Sequence, residues 1–130
     1  MSDDTLHVEL VAADRLVWSG EATVVNARTA GGEIGILANH MPVLSLLEAG
    51  VIEVETADGE TWLAAVDDGF ISVAANRVSI LAGHADLAQD IDAGEARSEL
   101  ERVRGEDDDH RTNAEVRRLE ARIRAAERAS

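Results

Sequence analysis

A chain of 130 residues has room for one full core and a small appendage, but not for two large domains. Its formal net charge is −14, and all twelve basic side chains are arginine, so it repels phosphate backbones and anionic lipid headgroups; no nucleic-acid partner and no direct membrane insertion are expected. The absence of cysteine excludes disulfides, thiolate catalysis and cysteine-based zinc sites, while 45% hydrophobic and 29% charged residues is the composition of a chain that folds.

The opening Met1-Ser2-Asp3-Asp4 is acidic where a secretory leader needs a basic start, and no apolar run approaches about 18 residues. A cytoplasmic protein, soluble by itself, is the expectation. Only Trp18, Trp62 and Phe70 are aromatic, so the core must be built from Val, Ile, Leu and Ala, and the β-branched share of these favours strands.

Leu6, Val8, Leu10 and Ala12 alternate with His7, Glu9 and Val11, which predicts a strand with one face in the core and the other mostly polar. Residues 16–19 read as a short strand ended by Gly20, and alternation resumes over 22–29 before Gly31 and Gly32 turn the chain. Leu37 and Ile36 are both expected in the core. Segments 51–56 and 60–67 flank Ala57-Asp58-Gly59, a strong hairpin signal because Asp and Gly tolerate positive φ. A second hairpin is predicted for 70–74 and 77–81 around Ala75-Asn76. Short alternating segments with turn signals at this spacing predict an all-β sandwich of about ten antiparallel strands over residues 1–86.

Beyond Asp86 the period changes. Asp92 with Glu95 three residues later matches a capping box, in which the Asp side chain accepts an orphan helix amide. Ala96, Leu100 and Val103 then form one apolar stripe on a helix ending near Gly105. The run Glu106-Asp107-Asp108-Asp109-His110 reads as a solvated turn, and Thr112 or Asn113 as the cap of a second helix carrying Val116, Leu119, Ile123 and Ala126. Residues 87–130 are thus a two-helix hairpin. Helices of about 13 to 17 residues are marginal alone, so the pair must dock on the sandwich or on another protein. A weakly docked element is suited to a two-state switch.

Catalytic constellations are missing. A Walker-type phosphate loop needs lysine, no Gly-x-Ser-x-Gly elbow occurs, and His7, His40, His84 and His110 lack partners at triad or metal-ligand spacing. Asp107, Asp108 and Asp109 lack the central glycine and closing glutamate of a calcium loop. No metal site and no catalytic residue is nominated.

Four segments carry a family resemblance. Gly32-Glu33-Ile34-Gly35-Ile36-Leu37-Ala38-Asn39-His40-Met41-Pro42-Val43-Leu44 resembles the Gly-x-x-Gly-x-Leu-Pro-Gly-His-x-Pro-Leu-Leu segment of the epsilon subunit of bacterial F-type ATP synthases. Ala13-Asp14-Arg15-Leu16-Val17-Trp18-Ser19-Gly20, Leu47-Glu48-Ala49-Gly50-Val51 and Asp67-Asp68-Gly69-Phe70-Ile71-Ser72-Val73 are similar to that family's neighbouring segments, in order and at agreeing spacing. With the terminal helices, the resemblance spans essentially the whole chain. Ala38-Asn39 replaces the family's Pro-Gly, a turn that Asn can still make because it enters the left-handed region readily.

The resemblance implies a non-catalytic subunit of the rotor's central stalk, coupling proton flow to ATP synthesis from the cytoplasmic face of the bacterial membrane. Its partners would be the gamma subunit, gripped by an apolar surface, and the c-ring. Glu33 and His40 occupy the positions turned towards the c-ring, where an acid opposite a basic loop fixes register. In related subunits the helices extend and inhibit ATP hydrolysis against the alpha and beta subunits, and some bind ATP through Ile-Asp-x-x-Arg-Ala. The matching stretch is Ile91-Asp92-Ala93-Gly94-Glu95-Ala96: Asp86, Asp92 and Arg102 fit the pattern, but Glu95 stands where a phosphate-facing arginine is expected, so no cofactor is expected. The competing reading is a free-standing acidic sandwich that binds a protein or a carbohydrate.

Overall fold

The computed structural model describes residues 5–105 and 110–129, without the side chains of 110–113. The acidic start at residues 1–4 and the acidic run at 106–109 therefore lie outside the described residues. Nine strands are described: β1 (Leu6–Ala12), β2 (Arg15–Thr29), β3 (Gly32–Leu37), β4 (Val43–Leu47), β5 (Gly50–Thr56), β6 (Thr61–Val66), β7 (Gly69–Ala74), β8 (Arg77–Ala82) and β9 (Ala85–Leu87). A 3-10 turn (Ala88–Asp90) leads to α1 (Ala93–Arg104) and α2 (His110–Ala129).

The strands make two packed layers that share β2. Its first half pairs with β1 from Arg15 to Ala22, and its second half pairs with β3 and β5 up to Thr29. One layer is therefore β4-β7-β8-β1 with the start of β2, and the other is β3, the end of β2, β5, β6 and β9. The register shift between Ala22 and Val24 marks where the strand changes layers, as bulged strands do at sandwich corners. All pairings are antiparallel except β1 with β8.

The expected break at Gly20 is absent: residues 16–19 and 22–29 belong to one strand of fifteen residues. Gly20 serves packing instead. A Cβ there would lie 2.8 Å from the Trp18 ring, so the missing side chain lets the indole lie across its own strand. Trp18 then meets Trp62 at 4.7 Å between ring centroids and closes one end of the core.

Leu6, Val8, Leu10 and Ala12 are buried as alternation predicts, with Val25, Ile36, Ile52, Val54, Ile71, Val73, Val78 and Ile80. Leu37 corrects the expectation that it joins Ile36 in the core: it is 59% exposed, because neighbours on a strand point to opposite faces. The β5–β6 hairpin forms around Asp58 and Gly59 (φ +90°), and the β7–β8 turn has both central residues, Ala75 and Asn76, at positive φ, the geometry that matches strand twist. Asn39 enters the left-handed region at φ 69° as expected, and its amide donates to Asn76 Oδ1 at 2.6 Å, tying the two loops together.

Asp92 caps α1, accepting from the Glu95 amide at 3.0 Å, and Ala96, Leu100 and Val103 are buried on the expected stripe. α2 already runs from His110, so Thr112 and Asn113 lie inside its first turns rather than capping it. Leu119, with Val116 and Ile123, packs on α1, while Ala121 and Ala125 pack on Ala65, Ala88 and Ile91 of the sandwich side. Small side chains at that contact let the helix approach the sheet closely. Among the described residues no helix is long and apolar enough to cross a membrane.

The turn aspartate provides a check on this geometry. The Thr56 hydroxyl donates to Asp58, and this bond holds the carboxyl below its usual range despite a small opposing effect of burial. A depressed folded-state value means that Asp58's contribution to stability is fully present above the unfolded value, about 3.9, and is lost as pH falls through the lower folded one. An NMR titration should find the Asp58 midpoint lower in the parent than in Thr56→Val; equal midpoints would show that the turn bond does not form in solution.

Candidate interaction surfaces

Alternation gives each layer an inward and an outward face, and the two outward faces differ chemically. On the β5–β6 side the outward residues Val51, Leu63 and Ala65 are covered by α2. On the β4-β7-β8-β1 side they are not covered. Register there sets Leu46 opposite Phe70, Phe70 opposite Leu81, Leu81 opposite Val11, and Val11 opposite Leu16. One apolar row therefore crosses five strands, about 19 Å at the usual interstrand spacing. Apart from half-buried Val11, each residue of the row is between 50% and 58% exposed.

The adjacent outward row is Leu44, Ser72, Ser79, Glu9 and Ser19, mostly small and polar. An apolar line beside a polar margin is the anatomy of a protein-binding face. Contiguous exposed apolar surface of this kind marks an interaction site, whereas scattered single residues do not. Gly69 makes the flat face possible: a Cβ there would lie 1.9 Å from the Leu81 carbonyl oxygen, so no other residue lets β7 and β8 approach as they do beneath Phe70 and Leu81.

This row was missed at the level of sequence because Val11, Leu16, Phe70 and Leu81 fell in separate predicted strands and Leu46 in none. The signal existed in β4, Val43-Leu44-Ser45-Leu46-Leu47, where Leu44 and Leu46 fall on one parity and buried Leu47 on the other.

Of the residues singled out in the sequence, Glu33 and His40 lie at opposite ends of β3. Glu33 is exposed, pairs across the ladder with Arg28 and lines a cleft of about 420 Å³ with Glu53, Arg124 and Arg128. His40 follows the strand; its amide donates to the Leu37 carbonyl at 3.2 Å, and its ring Nδ1 is 2.8 Å from the Met41 carbonyl oxygen. Exposed Leu37, Met41 and Leu44 surround this end of the sandwich.

Asp86 is on β9, whereas Asp92 and Arg102 both belong to α1, at its N-cap and in its last turn. Asp86 on β9 lies between Arg15 of β2, at 3.5 Å, and Arg122 of α2, whose Nη1 donates to its other oxygen. Asp92 spends its carboxylate on the α1 cap. Arg102 lies ten residues further along, about 15 Å at the helical rise. Asp86 and Asp92 are thus each engaged within the fold, by two arginines and by the helix cap respectively. Among the described residues no group of three or more His, Asp or Glu side chains is arranged to hold a metal ion.

Comparison with known proteins agrees with this architecture. Residues 5–88 match the family described as ATP synthase, Delta/Epsilon chain, beta-sandwich domain. The ATP synthase epsilon chain of Streptomyces avermitilis is 56% identical over 120 residues, 92% of this chain and 94% of that one. The epsilon chain of Rhodococcus jostii is 51% identical over 125 residues, 95% and 98% of the two chains, and that of Corynebacterium glutamicum 41% over 126 residues, 96% and 95%. In solved structures the fold is similar to a chain in the Euglena gracilis mitochondrial ATP synthase, OSCP/F1/c-ring, with a TM-score of 0.78 at 23% identity, covering 91% of this chain and 79% of that one. A chain of the Tetrahymena thermophila mitochondrial ATP synthase central stalk and c-ring gives a TM-score of 0.61 at 16% identity, covering 95% of each.

Proposed function

Because the chain belongs to the ATP synthase epsilon-chain family, a family of non-catalytic subunits of a rotary complex, we propose that it sits in the central stalk with the Leu46-Phe70-Leu81-Leu16 face on the gamma subunit. The observation that carries this reading is the uncovered apolar row across five strands, on the layer opposite the helices. A rotor subunit must stay attached under torque, and an apolar contact across a rigid sheet resists shear without requiring any side chain to move. The edge strand β3, with Glu33 near its start and His40 just past its end, faces the polar loops of the c-ring, and the complex lies peripherally on the cytoplasmic face of the bacterial membrane.

The chain divides functionally into a binding body, residues 1–86, and a regulatory hairpin, residues 87–130. Extended beside gamma, the hairpin reaches the alpha and beta subunits and opposes ATP hydrolysis. ATP is not needed to keep it folded down. Asp92 is occupied by its capping bond, Asp86 by two arginines, and Glu95 presents a negative charge to any phosphate.

Pull-down of the complex with tagged full-length chain tests the face. Leu46→Asp with Phe70→Asp should weaken recovery of gamma, alpha and beta at least tenfold, since two buried charges would have to be desolvated. The same exposed substitutions should change unfolding stability by under about 1 kcal/mol. Undiminished recovery would remove gamma from this face. Deleting residues 92–130 should leave a cooperative unfolding transition and intact gamma binding; loss of that transition would refute the two-part division. Calorimetric titration of the full chain with magnesium and ATP should show no saturable binding below about 1 mM, an affinity of roughly 4 kcal/mol, and tight binding would overturn the nucleotide-free reading.

A further inference from the structure

Charge is unevenly divided along the chain. Sixteen of the 26 acidic residues precede Ala93, whereas nine of the twelve arginines lie at or beyond Arg97. An acidic sandwich thus meets an arginine-rich hairpin, and three arginines of α2 reach down to it: Arg117 to Asp68 at 3.8 Å, Arg128 to Glu53 at 3.3 Å, and Arg122 to Asp86. The first two pairs are largely solvated, and such pairs contribute little.

The third pair is different. The side chains of Arg122 and Asp86 are only 26% and 29% exposed. Arg15, at the start of β2, approaches the other carboxylate oxygen of Asp86 at 3.5 Å and donates to the Ala85 carbonyl at 3.1 Å. One carboxylate therefore joins β2, β9 and α2. The buried apolar part of the same contact is mostly alanine, Ala65, Ala88, Ala121 and Ala125 with Ile91, and Val51 and Leu63 are only partly covered; small side chains bury little area each. α1 packs chiefly on α2, so the whole hairpin is held to the sandwich through α2.

We propose that Asp86 is the latch that holds the hairpin down, with Arg122 as its mobile half and Arg15 as its fixed half. This deepens the reading of the hairpin as a movable element and rests on it. Removing one partner of a half-buried ion pair ordinarily strands a charge, which opposes release. Here Arg15 stays beside Asp86 when α2 departs, so the carboxylate keeps a cation in either state. The third charge is what makes the latch reversible.

The full chain contains no cysteine, so Ser79→Cys on β8 and Ser98→Cys on α1, both exposed, can carry a pair of spin labels. The parent should give one narrow distance. Arg122→Gln and Asp86→Asn should each add a longer, broader component, raising the released population on the order of tenfold, as expected for losing a charge-assisted hydrogen bond. Arg122→Lys should restore the narrow distance in large part, and Arg128→Gln should leave it unchanged. Circular dichroism establishes that each variant keeps its strands; if Asp86→Asn does not, Arg122→Gln, which leaves the Asp86–Arg15 pair in place, decides alone. Superimposable distances in parent and Arg122→Gln would overturn the latch, as would equal release by Arg128→Gln. Gamma recovery through the opposite face is read separately, so failure of the latch and failure of the stalk assignment give different results.

Discussion

The constraint from which the architecture follows is that one strand, β2, belongs to both layers. A fifteen-residue strand cannot serve two packed sheets while remaining straight, and the irregularity between Ala22 and Val24 is where it turns the corner. Ahead of that point it carries Trp18 folded over Gly20; beyond it, it carries Val25 and Ala27 into the core. The layers are therefore joined covalently at one edge, and the contact of Thr29 with Leu47 joins them again through β4. A body closed in this way is stiff, which suits transmission of torque.

Stiffness with strict alternation produces two outward faces whose chemistry is free to differ. The β5–β6 face carries Ala65, Val51 and Leu63 and receives the alanine-lined side of α2. The opposite face carries Leu16, Leu46, Phe70 and Leu81, large side chains left in water in the isolated chain. Leaving them uncovered is unfavourable for a solitary protein. In a complex the same surface is the attachment proposed above, and its location on the far layer leaves the helices unobstructed.

Electrostatics divides the labour in the same way. Residues 93–130 carry ten acids and nine arginines, so the hairpin meets the acidic body through individual arginine pairs rather than through an overall field of opposite sign. The exposed pairs of Arg117 and Arg128 are screened by salt, but the Asp86 cluster is partly sheltered and specific in geometry. In the proposed latch, docking is positioned by that one carboxylate.

The period-two segments, the Asp58-Gly59 and Ala75-Asn76 turns, the Asp92 cap and the stripe Ala96, Leu100 and Val103 were all legible in the sequence, because each depends on residues near in sequence whose conformational preferences are local. The family followed from four motifs in register. What local preference could not decide was anything set by non-local pairing. Gly20 reads as a turn until Trp18 needs its space, and Leu37 reads as core until β3 has a register. The apolar row exists only once β4, β7, β8, β1 and β2 are aligned by hydrogen bonds between residues far apart in the chain. The Asp86 cluster likewise needs Arg15 and Arg122, more than a hundred residues from each other, to be brought to one point. Sequence determined which segments become strands and helices; tertiary structure decided which of their side chains meet, since that is a property of the closed sheet and of no single segment.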